Sequence, residues 1–152
     1  MNKNFWLLFR VVIVLILATV LVVGCGKEGS PQGGVISEVT MAAAVDSNDR
    51  PLQPTDVFTV DAEAFYCSFK LSHFPPGTKI NADWIFMAGQ AAVGLSDNTV
   101  LQKSLGTVDG DGYTSIVLKR PDIAGVKWPR GDYKVVLSVG DEEKASASFR
   151  VE

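Results

Sequence analysis

The side chains in this sequence that could do chemistry are few. It contains one histidine, His73, and two cysteines, Cys25 and Cys67. A zinc centre takes three or four ligands from histidine, cysteine and carboxylates. One histidine beside the Pro75-Pro76 turn and one cysteine on an apolar strand face do not supply them. Serines and aspartates are numerous enough for a Ser-His-Asp arrangement by count, but no Gly-x-Ser-x-Gly elbow stands in the chain to present a nucleophile. Asp109-Gly110-Asp111-Gly112 sets two carboxylates one residue apart, a spacing from which oxygens can converge on a hard cation. The rest of such a loop, with its closing glutamate, is missing, because residues 113–119 read as a strand, and Asp-Gly pairs are ordinary hairpin turns. The expectation is therefore no enzyme, no metal and no cofactor.

Cys67 lies in Phe65-Tyr66-Cys67-Ser68-Phe69-Lys70-Leu71, where every odd position is apolar. That alternation turns Cys67 inward with Phe65, Phe69 and Leu71, as a core thiol rather than a reactive one. Arg130-Gly131-Asp132 spells an adhesion tripeptide, but such a tripeptide needs an exposed loop tip, and here a strand begins. Trp128-Pro129 lies in a long connection just before that strand. It reads either as a tryptophan closing one end of the fold or as an exposed aromatic anchor for a partner. Residues 88–98 are too rich in Ala, Gly and Val for a free tip, so they cover the core or meet another molecule. The candidate contact surface is accordingly Trp128 and Arg130 together with Val93 and Leu95.

The elements that must carry these residues divide sharply in composition. The chain has 152 residues, 47% of them hydrophobic, but 18 of the apolar residues fall in the first 24. Leaving out Lys3 and Arg10 with that segment reduces the 14 basic residues to 12 against 17 acidic ones, a net charge of −5. A mildly acidic remainder of one-domain size argues against nucleic acid as a partner. The first segment has Lys3 at its start and a 13-residue run, 11–23, in which only Thr19 is polar. A charged start followed by an apolar core is the form of a secretory signal. It ends in Val22-Val23-Gly24-Cys25, which resembles the lipobox of bacterial lipoproteins. That resemblance implies cleavage after Gly24, acylation of Cys25, and attachment of the domain to a membrane outside the cytoplasm, cell membrane or outer membrane. Two or three acyl chains anchor stably where one does not. The alternative is an uncleaved anchor, since residues 5–23 have about the length of a membrane helix and Arg10 could snorkel from near its end. Residues 25–34, the cysteine and then GKEGSPQGG, read as the lipidated residue and a flexible tether.

From Val35 to Glu152 the dominant period is two. Val39, Met41, Ala43 and Val45 alternate with Thr40, Ala42 and Ala44; residues 46–55 read as a polar loop. Strands follow over 57–71, 80–87, 99–108, 113–119, 133–139 and 145–151, separated by Gly-, Pro- and Asp-rich turns. No helical stretch interrupts them. Seven to eight short strands predict an all-β antiparallel sandwich. Gly131-Asp132-Tyr133-Lys134-Val135 resembles the tyrosine corner of immunoglobulin-like domains, in which a tyrosine starts the penultimate strand and bonds back to the preceding loop. Trp84 falls on the third main strand, where such domains bury a tryptophan, and Val135 stands where antibody domains have their second disulfide cysteine. The combined expectation is a lipid-anchored, non-enzymatic immunoglobulin-like domain of a bacterial envelope that binds or scaffolds another envelope protein. A glycan- or small-ligand-binding accessory lipoprotein is the alternative.

Overall fold

The structure, a computed structural model, describes residues 33–89 and 95–152. Among these, nine strands follow one another: β1 (Val35–Val45), β2 (Pro51–Pro54), β3 (Val57–Phe58), β4 (Ala64–Ser72), β5 (Lys79–Gly89), β6 (Thr99–Thr107), β7 (Gly112–Lys119), β8 (Gly131–Val139) and β9 (Glu142–Val151). They form two sheets, β2-β1-β4-β7 and β3-β9-β8-β5-β6.

The alternation that predicted the main strands also sets their inner faces. Phe65, Cys67, Phe69 and Leu71 of β4, Ile80, Ala82, Trp84 and Phe86 of β5, and Tyr133, Val135 and Leu137 of β8 are all buried. Aromatic rings from both sheets and from Trp128 form one connected cluster between the sheets. Phe65 lies 4.5 Å from Trp128 and 4.9 Å from Phe149, and Phe149 stacks on Tyr133 at 5.2 Å. Each fully buried large apolar side chain contributes about 1.5–3 kcal/mol by area removed from water. Trp84 contributes less, because its indole N–H is buried with no hydrogen-bond partner among the described residues. An unpaired donor of this kind costs about 1–3 kcal/mol.

Three expectations need correction. Nine strands replace seven to eight, because the stretch expected as one strand over 57–71 divides into β3 and β4, and because Pro51–Pro54 of the expected 46–55 loop pairs with β1, Leu52 opposite Ala44. Its two prolines are tolerated because β2 is the sheet edge, where a missing N–H breaks no ladder. The sheet is also not wholly antiparallel, since the two residues of β3 run parallel to the end of β9. Finally, β1 does not alternate strictly. Glu38 adopts a left-handed φ of 51° and the β1–β4 register slips between Ser37 and Thr40. This bulge reorients the strand. Met41 and Ala42 are then both buried while Ala43 is exposed. Ala42 is covered on the outer side, between Pro54 and Tyr66 in register.

Two glycines mark close approaches. A Cβ on Gly131 would stand 2.4 Å from the Ala88 carbonyl oxygen, so β8 can meet the end of β5 only without a side chain there. A Cβ on Gly34 would stand 1.9 Å from the Phe74 ring, so Gly34, expected in the tether, is packed on the domain.

Candidate functional site

Among the described residues, those singled out by sequence do not form one exposed surface. Trp128, considered as an exposed anchor, is 8% exposed and part of the core. Its ring packs on Phe65 and its indole N–H donates to the Ala62 carbonyl at 2.8 Å, so it closes one end of the sandwich. Arg130 is exposed on the connection beside it, and Leu95 is half-buried against the core. Val93, Gly24 and Cys25 lie outside the described residues. Asp132 of the adhesion-like tripeptide is bound to Arg150 at 2.8 Å.

The reactive candidates are similarly occupied. Cys67 is fully buried, and burial pushes its thiol up to about 12, far from the thiolate that nucleophilic chemistry needs. His73 is exposed in a left-handed turn with φ 61°, and its backbone N–H donates to Asp111 Oδ1 at 2.7 Å. One carboxylate of the Asp109–Asp111 turn is thus used to cap the neighbouring turn. Among the described residues no three His, Cys, Asp or Glu side chains converge as a metal would require.

The polar constellation that does form lies on the outer face of the first sheet. The period-two rule puts Tyr66, Ser68 and Lys70 of β4 on that face, each opposite Val117, Ser115 and Tyr113 of β7 in register. Ser68 points outward yet is fully buried, because residues 46–50 fold back over it. The Asp46 carboxylate accepts the N–H groups of Asn48 and Arg50 at 2.8 and 2.9 Å, which curls the loop. Asp49, held at φ 59°, then accepts twice: its carbonyl from the Ser68 hydroxyl at 2.6 Å, its carboxylate from the Ser115 hydroxyl at 2.5 Å. This delivers Arg50 to Tyr113, its guanidinium carbon 5.6 Å from the ring centroid.

Beside that pair, the Glu38 carboxylate at the β1 bulge accepts from Lys70 Nζ at 3.1 Å and from the Tyr113 hydroxyl. The bond from Tyr113, and after it the bond from Lys70, hold Glu38 below the usual carboxylate range. The same bonds to Glu38 hold Tyr113 and Lys70 above their ordinary values. Asn48, Asp49, Arg50, Lys70, Gly112 and Tyr113 line the resulting open groove. Sequence reading missed it, although Asp46 two residues before Asn48 is the signal of an Asx turn.

At the far end of the domain, the Tyr133 hydroxyl donates to the Pro129 carbonyl at 2.6 Å, the bond back to the preceding loop that the tyrosine-corner resemblance implies. An immunoglobulin-like protein of Pseudomonas aeruginosa has the same architecture: the match covers 82% of this chain and 100% of that one, with a TM-score of 0.56 and 17% identity. The fold is immunoglobulin-like. Matches below that level include an alkylpurine DNA glycosylase of Pseudomonas fluorescens, at 15% identity and a TM-score of 0.48, and β-glucosidase 3B of Thermotoga neapolitana, at 12% and 0.42. This chain spans 32% and 16% of those two proteins. No protein-family model matches the chain, and no curated protein matches it in sequence.

Proposed function

We propose that this chain is a lipid-anchored binding domain of a bacterial cell envelope, acylated at Cys25 after removal of residues 1–24, whose non-enzymatic immunoglobulin-like domain holds another envelope protein. The anchor rests on the Val22–Cys25 lipobox behind a charged start and an apolar run. The binding role rests on how the domain uses its side chains. Its interior is filled by aromatic rings, from Phe58 through Phe65 and Phe149 to Tyr133, so recognition falls to the outer faces and loops. Arg130, exposed beside Trp128, and the 88–98 segment remain the candidate contacts.

The alternative, a glycan- or small-ligand-binding accessory lipoprotein, wants bare aromatic faces beside polar groups. Trp84, Trp128 and Tyr133 are buried, which among the described residues leaves half-buried Tyr66 and Tyr113. The protein-binding reading is therefore placed first. Cross-linking in the native cells, followed by purification through a C-terminal tag, tests it. A stoichiometric envelope protein is the expected product. Recovery of the chain alone, under conditions that capture known envelope complexes, would move the assignment to a glycan or small ligand.

A further inference from the structure

The groove on the first sheet has an uneven charge account. Asp46 is committed to two backbone N–H groups, Asp49 to Ser115, and Glu38 to Lys70 and Tyr113. Arg50 forms no ion pair among the described residues, although three carboxylates stand on its own loop and the adjoining bulge. Arg50 is exposed, its guanidinium carbon lies 5.6 Å from the Tyr113 ring centroid, and its side-chain N–H groups have no acceptor among the described residues. Two non-glycine residues, Glu38 and Asp49, are kept in left-handed backbone conformations to build this arrangement. Such conformations persist where surrounding bonds hold them, and they cluster at binding sites.

We propose that the groove is a docking site for an acidic side chain of the partner protein, its carboxylate taken by the guanidinium of Arg50 in a two-point hydrogen bond beside Lys70. This deepens the protein-binding reading above and rests on it, but is independent of the lipid anchor. Two features favour a peptide over a sugar acid. Arg50 already covers the Tyr113 ring on which a sugar would stack. The strand that continues from Arg50 carries Leu52, 47% exposed, as an apolar neighbour for the residue next to the acid.

The test uses the full chain in detergent micelles, labelled at arginine side chains and tyrosine rings and followed by NMR. The probes are an acetylated, amidated Gly-Glu-Leu-Glu-Gly peptide, its Gly-Gln-Leu-Gln-Gly counterpart, and a galacturonate trisaccharide. The glutamate peptide is expected to shift the Arg50 and Tyr113 signals saturably, and the glutamine peptide to leave them in place. Arg50→Gln, which keeps the backbone N–H bonded to Asp46, should weaken binding by about tenfold or more at unchanged melting temperature. Lys119→Gln, at the far end of β7, should change it less than about twofold. Equal shifts with both peptides, no shift with any probe, undiminished binding by R50Q, or a response to the trisaccharide alone would each overturn the proposal. The native partner captured equally well by R50Q cells would sink the groove while leaving the protein-binding reading in place.

Discussion

The hydroxyl of Tyr133 makes a single hydrogen bond, to the Pro129 carbonyl, from a ring otherwise enclosed by Phe65, Phe86 and Phe149. Burial holds this phenol above its ordinary range, so it stays neutral and donating through the physiological span of pH. Tyr133→Phe should cost about 1 kcal/mol, read by denaturant unfolding, because the ring still fills its space while the Pro129 carbonyl loses its donor. Cys67 gives a second prediction. Its thiol is kept protonated up to about 12, whereas in the unfolded chain it ionises from about 9. Between those values the unfolded state binds fewer protons than the folded one, so this residue's contribution to stability is whole below pH 9 and is lost as pH rises toward 12. Cys67→Ala should lower stability at neutral pH by about 1 kcal/mol through the lost volume and should flatten the alkaline decline. An alkaline unfolding profile identical to that of the native chain would contradict this. Tyr133 and Cys67 were both legible in the sequence, one from its motif and one from its alternation. Trp128 was legible only as one of two readings, the end-closing one that the structure shows; its partners, Phe65 and the Ala62 carbonyl 66 positions earlier, were not.

At the scale of elements, the strands with a clean period of two were readable, and those that depart from it mark the candidate site. The bulge at Glu38 shifts β1 against β4, and the adjoining loop lies on the sheet instead of standing free. A polar loop laid on a strand face has the same composition as one in solvent, so residues 46–50 gave no sign of covering Ser68. The short β2 was illegible for a related reason, as were the break between β3 and β4 and the parallel pairing of β3: each depends on the neighbouring edge beside it. The loop's own fold depends on one carboxylate. Asp46→Ala removes the acceptor of two backbone N–H groups and should cost about 0.5–2 kcal/mol, as loss of a helix cap does. Amide exchange should quicken first at Asn48 and Arg50, while the amides of β5 and β8 stay protected. Uniform exchange across the domain would mean that the loop is not a separate opening unit.

At the scale of the molecule, the immunoglobulin-like sandwich is what the structure shows, and the export and acylation of the chain are proposed from residues 1–25. The fold hosts many functions, so the assignment to the envelope depends on residues 1–25 and not on the strands. The chain reaches the sandwich at Gly34, packed on Phe74. The connections that carry Arg130 and Trp128 lie at the other end of β8 from the Gly140 turn beside Asn81. Cys25→Ser should leave the unfolding midpoint of the domain unchanged and yield a chain without acyl groups that keeps residues 1–24, read by intact mass. The most direct measurement is the intact mass of the full-length protein extracted from its native membrane. The account predicts a chain that begins at Cys25 and carries at least two acyl chains on that residue. A mass equal to the uncut, unmodified 152 residues, or a cut chain without lipid, would contradict it.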